Sequence, residues 1–240
     1  MFPIVRNRLT RQMFCQLAPW LLLAATAQAQ TAWPAKPVTL VVPFAADGGT
    51  DIGARILAQR LSQALGQAVV IDNKSGAGGN VGLQAVSRAR PDRYTLLIAN
   101  AGTQSINPML YKKLSYSPDT AFVPVGQFAE LPFVLAVTPS LPVRNVKELV
   151  ELGKAKPDKL TYASSGSGGS PHLSAETFKT ATGTQILHVP YKGGGAAMSD
   201  LMAGNVDMIF ASVLETSGFI KAGKLKVLSQ MAARQRCSRS

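Results

Sequence analysis

The chain has 240 residues, a formal net charge of +12 and two cysteines. The length suits one large domain or two small lobes, and the cysteine count excludes a disulfide-rich scaffold. The charge does not indicate a nucleic-acid-binding protein, because six of the basic residues lie near the chain ends and no basic stripe is interleaved with aromatic residues.

The N-terminal segment has the pattern of a cleavable signal peptide. Three arginines (Arg6, Arg8 and Arg11) precede the apolar run "LAPWLLLAATA", and "AQA" at 27–29 supplies small residues for cleavage. An N-terminal anchor helix is the alternative, but the apolar run is shorter than a membrane-spanning helix needs. We therefore predict a signal peptide over residues 1–29 and an exported protein.

Strand and helix patterns alternate over residues 30–121, which we predict to form a first lobe. The continuous apolar run "VTLVVPF" is typical of a strand buried on both faces, and a helical pattern follows it up to Gly66. Two further strand patterns, "AVVIDN" and "YTLLIAN", flank the helical pattern "GNVGLQAVSRARP". This alternation predicts parallel strands with helical crossovers.

Residues 122–140, "FVPVGQFAELPFVLAVTPS", interrupt the alternation. The segment contains Pro124 and Pro132, and proline does not occur within central strands. We therefore interpret it as a crossover between two lobes rather than as a central strand.

A second alternating set predicts another lobe over residues 141–223, followed by a return crossover strand over residues 224–230. Within it, Asn145 and Glu148 have the spacing of a helix capping box. The predicted fold class is α/β, with two lobes joined by a hinge.

Known catalytic and cofactor motifs are missing from the sequence. With two histidines and no HExxH or CxxC, the chain offers no metal site, and it lacks a GxSxG elbow, a phosphate loop and a dinucleotide fingerprint. We accordingly expect no metal, no cofactor and no enzymatic activity.

Two glycine-rich turns each follow a strand and open a helix. They are "DGGTD" at 47–51 and "SSGSGGS" at 164–170. The first turn of a helix presents free N–H groups and a partial positive charge, so two such turns facing each other can hold a small anion such as a carboxylate without Lys or Arg. The alternative is that these glycines are ordinary turn residues.

Four side chains near these turns allow two interpretations each. Asp51 is a helix cap or lines the cleft, and Phe44 belongs to the core or walls the pocket. His172 bonds locally or contacts a ligand, and Tyr191 packs on a ligand or covers the sheet edge.

The segments "WPAKPVTLVVPFAADGGTDIGARILAQRLSQALGQAVVIDNKSGAGGNVG", "LTYASSGSGGSPHLSAETFK" and "HVPYKGGGAAMSDLMAGNVDMIF" resemble the substrate-binding receptors of tripartite tricarboxylate transporters, the Bug-type periplasmic proteins. The resemblance implies a two-lobed periplasmic binding protein fold, a Venus flytrap of type II-like form. It also implies capture of a small carboxylate in the periplasm, for delivery to a membrane permease of the tripartite tricarboxylate type. We expect a monomer that binds no nucleic acid. The ligand-binding residues implied by the resemblance are Phe44, Gly48, Gly49, Asp51, Thr103, Ser165, Gly166, Ser167, Gly168, His172 and Tyr191.

Three features depart from the resemblance. Family members usually carry Gly at the positions of Asp47 and Arg93, and they continue beyond "LKVLSQ" with further helices and strands. Here residues 231–240 are polar and basic, an aberrant tail that predicts a truncated chain with a first lobe incomplete at its C-terminus. A positive φ at Arg93 would cost about 1 kcal/mol. A negative charge at Asp47 predicts that Asp47→Gly strengthens carboxylate binding.

Three functions therefore remain open. The first is a periplasmic receptor, whose binding the truncation would impair in some degree. The second is a non-functional truncated remnant. The third is an exported hydrolase or transferase that uses the glycine-rich turns as a cradle for an oxyanion or phosphate.

Overall fold

The computed structural model describes residues 33–231. The predicted signal peptide and tail residues 232–240 lie outside this range. The chain divides into two compact units, residues 1–35 and 36–240, and all elements described below belong to the second. None of the helices between residues 33 and 231 has the length and apolar character required to cross a membrane.

A three-stranded parallel sheet forms the first lobe, with strand order β2-β1-β3. Its strands are β1 (Val38–Val42), β2 (Val69–Asn73) and β3 (Thr95–Leu97). The predicted apolar run gives β1, which is buried between its two neighbours and hydrogen-bonded to both. The parallel pairing predicted for this lobe is thus present.

The first lobe carries helices α1 (Gly49–Leu65), α2 (Asn80–Ser87) and α3 (Asn107–Leu110). Helix α1 ends as predicted at Gly66, which adopts the left-handed conformation with φ of 66°. A short 3-10 helix, Ala77–Gly79, precedes α2, and a π-helical turn, Gly102–Ile106, precedes α3.

A five-stranded mixed sheet forms the second lobe, with strand order β6-β5-β7-β4-β8. Its strands are β4 (Phe133–Val137), β5 (Thr161–Ser164), β6 (Leu187–Pro190), β7 (Met208–Ser212) and β8 (Lys226–Gln230). Its helices are α4 (Val146–Ala155), α5 (Ser170–Thr182), α6 (Gly194–Ala203) and α7 (Val213–Lys221). The capping box at α4 is confirmed, since the Asn145 side chain accepts a hydrogen bond from the Glu148 amide at 2.9 Å.

The interpretation of residues 122–140 as lacking a central strand is wrong for its second half. Phe133–Val137 is an interior strand, antiparallel to both β7 and β8. Residues 122–132 contain no strand, so Pro124 and Pro132 both precede β4 and remove no hydrogen bond from the sheet. The sheet of the second lobe is therefore mixed rather than all-parallel.

Alternate residues of β4 pack on opposite faces of the second sheet. Leu135 and Val137 belong to a cluster that includes Tyr162, whereas Val134 and Ala136 belong to a second cluster with Leu201. A smaller cluster around Leu40 and Val42 fills the first lobe.

The two residues that stand where family members usually carry glycine both have a left-handed backbone conformation. Asp47 has a φ of 65° and Arg93 a φ of 67°. The condition under which Arg93 would be strained, a positive φ, is therefore met, because side chains other than glycine are strained in this conformation.

Candidate functional site

A cavity of about 420 Å³ lies where the carboxyl ends of strands from both sheets meet. It is lined by residues from four regions: the turn that follows β1, residues 98–101 after β3, the segment that leads into β4 together with the first residue of β4, and the helix-opening turns of the second lobe. The lining residues are Phe44, Ala45, Gly48, Gly49, Thr50, Ile98, Ala99, Asn100, Ala101, Gln127, Phe128, Ala129, Leu131, Phe133, Ser165, Gly169, Ser170, Pro171, Gly194, Ser212 and Glu215.

Four helices of eight or more residues begin at this cavity. Helix α1 presents Gly49, α5 presents Ser170, α6 presents Gly194, and α7 follows its cap Ser212. The N-cap residues of α1, α5 and α6 are glycines, so none of these three helices is capped by the side chain of its own N-cap residue. Neither Lys nor Arg lines the cavity among residues 33–231, so the groups there that favour an anion are the helix N-termini.

Of the eleven ligand-binding residues implied by the resemblance, four line the cavity. They are Phe44, Gly48, Gly49 and Ser165. The structure therefore brings together the two glycine-rich turns that the sequence singled out, one from each lobe.

Asp51 faces away from the cavity. Its carboxylate accepts hydrogen bonds from the Asp47 amide at 3.1 Å, Arg55 at 2.8 Å and Asn73 at 2.8 Å. Burial raises its pKa, but these three donors outweigh that effect and hold the pKa below the usual value. Gly48 is the cap residue of α1, so Asp51 closes the turn before α1 instead of capping the helix itself.

Thr103 does not line the cavity, but it hydrogen-bonds a residue that does. It is almost fully buried, and its hydroxyl accepts the Asn100 amide at 3.0 Å while its own amide bonds the Asn100 side chain at 3.0 Å. Thr103 thus positions Asn100, a lining residue that the sequence did not single out.

His172 stacks with other rings and does not line the cavity. Its Nδ1 accepts the Gly168 amide at 3.2 Å, and its ring lies 4.3 Å from that of His188, centroid to centroid. Burial lowers the pKa of both histidines. Among the other implied residues of this turn, Gly166 and Gly168 have positive φ, and Ser167 is exposed.

Tyr191 packs against the second sheet, away from the cavity. Its hydroxyl donates a 2.5 Å hydrogen bond to Asp200, and burial together with this carboxylate raises the Tyr191 pKa to about 12. The alternative in which Tyr191 covers the sheet edge is closer to the observed packing.

Asp47 is exposed and does not line the cavity. Its backbone amide donates a hydrogen bond to Asp51, and its Cβ atom lies near the start of α6, where a Cβ atom on Gly195 would be 3.6 Å away. The prediction that Asp47→Gly strengthens carboxylate binding assumed that the charge of Asp47 lies inside the cavity. The structure does not place it there.

Within the described range 33–231, Glu215 is the only charged residue that lines the cavity, and the sequence reasoning missed it. It lies three residues after Ser212, whose side chain accepts the Glu215 amide at 3.2 Å. This Ser-x-x-Glu spacing is a capping-box signal that could have located the start of α7. The signal could not have shown that the carboxyl group turns to the cavity instead of to its own cap.

The Glu215 carboxyl group lies between the first turns of α1 and α6. It accepts a hydrogen bond from the Gly49 amide, and its Oε1 atom is buried with no hydrogen-bond partner among residues 33–231. A Cβ atom on Gly194 would lie 2.0 Å from that Oε1. Burial raises the pKa of Glu215 to about 7, and the Gly49 amide opposes this only in part.

The second lobe contains one close serine–histidine pair. Ser164 Oγ and His188 Nε2 are 2.7 Å apart, but Ser164 is fully buried and also bonds the Gly166 carbonyl. A nucleophile must reach its substrate, so this pair does not supply one. No metal-binding cluster of His, Cys, Asp or Glu occurs within the described part of the chain.

Comparison with known proteins assigns the chain to a family. Residues 53–239 match the family described as tripartite tricarboxylate transporter family receptor. The chain belongs to this family. The matched range includes residues 231–239 of the segment that we predicted to be an aberrant tail.

Two curated relatives illustrate the similarity. A UPF0065 protein in the tcbD-tcbE intergenic region of Pseudomonas sp. (strain P51) is 37% identical, over 94% of this chain and 67% of its own length. Protein BugT of Bordetella pertussis is 34% identical, over 88% of this chain and 65% of its own length. The chain spans 59–67% of the length of the first three curated relatives it matches.

Solved structures of related proteins confirm the predicted fold class. A periplasmic transporter superposes with a TM-score of 0.81 at 46% identity, covering 83% of this chain and 67% of its own. A protein of R. palustris with adipate gives 0.81 at 40% identity, covering 84% and 67%. MatC from Rhodopseudomonas palustris with bound malate gives 0.79 at 31% identity, covering 84% and 68%. The fold is that of two-lobed periplasmic binding proteins.

Proposed function

We propose that this chain is the ligand-capturing part of a periplasmic receptor, which binds a small carboxylate and delivers it to a membrane permease of the tripartite tricarboxylate type. The observation that carries the proposal is the convergence of four helix N-termini on one cavity that both lobes line. Backbone N–H groups and helix dipoles favour an anion there without a basic side chain.

The size of the cavity and the ligands of related structures support a small ligand. A volume of about 420 Å³ lies within the usual range for small-molecule sites. Two relatives were solved with adipate and with malate, both of which are carboxylates. Family membership supports export to the periplasm and a permease partner. A monomer remains our expectation.

Titration calorimetry with paired ligands tests this function. Each carboxylate, beginning with adipate and malate, is compared with its neutral primary amide, which has a similar shape without the charge. We expect at least one carboxylate to bind tenfold more tightly than its amide. A chain that melts in one cooperative transition and yet binds no carboxylate would overturn the proposal.

A further inference from the structure

The cavity contains one feature that an anion clamp does not explain. A pocket built to hold carboxylates would be expected to exclude acidic side chains, because like charges in a poorly hydrated site repel strongly. Glu215 nevertheless lines the cavity, and its carboxyl group lies against the first turns of α1 and α6.

The two oxygen atoms of this carboxyl group differ in their surroundings. One oxygen accepts the Gly49 amide, whereas Oε1 is buried and has no partner among the described residues. Buried polar atoms in native proteins are almost always hydrogen-bonded, and a buried acceptor left alone costs about 1–3 kcal/mol. The Glu215 carboxyl group therefore has hydrogen-bonding capacity that the described residues leave unused, and it lies at a cavity that a ligand can fill.

Charge balance indicates what kind of donor this is. In the part of the chain that the structure describes, no basic side chain lines the cavity to act as a counter-ion to Glu215. The same cavity provides the positive first turns of α1, α5 and α6. It thus offers one place for a negative group and, at Glu215, one place for a positive group.

We infer that the cavity takes a carboxylate that also carries an ammonium group, with the carboxylate at the helix N-termini and the ammonium group hydrogen-bonded to Glu215. This inference rests on the proposed function and names the class of its ligand. A simple dicarboxylate would instead bring a second negative charge to Glu215.

Other charged groups near Glu215 are engaged elsewhere or lie outside the cavity. On α1, Asp51 bonds Arg55; on α6, Asp200 bonds Tyr191. The remaining charged groups of the flanking turns and of α7 are the exposed side chains of Asp47, Lys192, Glu130 and Lys221. Glu215 is therefore the group whose protonation should control binding of an ammonium group.

Ligand pairs that differ in one group test the inference on the full chain. Adipate is compared with 6-aminohexanoate, succinate with 3-aminopropanoate, and glutarate with glutamate, by titration calorimetry at pH 8. We expect an amino member to bind at least tenfold more tightly than its partner. Its affinity should fall from pH 8 to pH 5.5, because protonation of Glu215 removes the charge that pairs with ammonium.

Glu215→Gln keeps the shape and an oxygen for the Gly49 amide, but it removes the charge. We expect the preference for the amino member to fall at least tenfold in this variant. The matched control is Glu151→Gln, since Glu151 is an exposed carboxylate of α4 away from the cavity. If the variant folds poorly, the preference of the wild-type protein for the amino member of each ligand pair, and the pH dependence of that preference, still test the inference.

The opposite pattern overturns the inference. Dicarboxylates that bind more tightly than their amino partners, and that gain affinity as the pH falls, would show that Glu215 acts as a protonated donor to carboxylate. An amino preference that survives Glu215→Gln would also overturn it. In both cases a carboxylate still binds, so the proposed function stands, whereas binding of no member would refute the proposed function itself.

Discussion

Gly49 and Ser212 are in such close contact that a Cβ atom on Gly49 would lie 2.2 Å from the hydroxyl oxygen of Ser212. Gly49 opens helix α1 of the first lobe, and Ser212 caps helix α7 of the second. The absence of a side chain at Gly49 therefore allows two helix N-termini from different lobes to border the same cavity.

Gly49→Ala should separate these two helix starts. Either α1 moves away from the start of α7, or the Ser212 side chain rotates and loses its hydrogen bond from the Glu215 amide. A helix cap of this kind contributes about 0.5–2 kcal/mol to stability. We expect lower stability in chemical denaturation and at least tenfold weaker carboxylate binding. Gly218→Ala is the matched control, because a Cβ atom there meets nothing within 4 Å. Unchanged binding in Gly49→Ala would mean that the cavity does not need this contact.

Glu215→Gln should stabilise the free protein at pH 8 and have little effect at pH 4. The folded pKa of about 7 lies above the ordinary value of 4.5, so ionisation of Glu215 weakens the fold as the pH rises between these values. The gain at pH 8 should be about 3 kcal/mol at most. Denaturant titrations at both pH values measure it, and an equal effect at both would contradict the burial of this charge.

The neighbouring histidines His172 and His188 should make stability decrease with acid. Burial lowers the pKa of His172 and His188 in the folded state below 6.5, so the unfolded chain takes up protons first as the pH falls. We expect the melting temperature to drop between pH 7.5 and pH 5.5. The measurement belongs in the Glu215→Gln background, because Glu215 titrates in the same window with the opposite sign. A flat profile there would refute the prediction, and His188→Gln should reduce the slope.

Arg93→Gly should stabilise the protein. The φ of 67° suits glycine, and relief of the left-handed strain should exceed the entropy that glycine adds to the unfolded chain, for a gain of about 0.5–1 kcal/mol. Arg90→Gly is the control, since Arg90 is also exposed but is not among the positive-φ residues. If both variants behave alike in thermal melting, the backbone at residue 93 is not strained.

Asp47→Gly should likewise raise stability, and it should leave carboxylate affinity within about twofold of the wild type. Asp47 has a φ of 65°, and its exposed side chain does not line the cavity. Calorimetry with adipate compares the two proteins. A large gain in affinity would show that the charge of Asp47 acts on the cavity through space.

Tyr191→Phe tests whether Tyr191 contacts the ligand, as the resemblance implies. Because the hydroxyl bonds Asp200 outside the cavity, we expect a small fall in melting temperature and unchanged ligand affinity. A loss of affinity without a loss of stability would place Tyr191 in the binding site.

The sequence by itself determined strand β1, the end of α1, the start of α4 and the two glycine-rich turns of this protein. Local signals suffice for these, because the apolar run of β1, the stop at Gly66 and the capping box at Asn145 depend on residues close along the chain. Each of the turns that follow β1 and β5 lies at the carboxyl end of a strand of its own sheet, which is where ligands bind in open α/β sheets.

Only the tertiary structure decided the place of β4 and the directions of the site's side chains. Phe133–Val137 becomes an interior strand because distant segments, β7 and β8, pair with it. His172 turns to His188, and Tyr191 to Asp200, through contacts that no local pattern encodes. Glu215 enters the cavity because Gly49 and Gly194, far from it along the chain, have no side chains to keep it out.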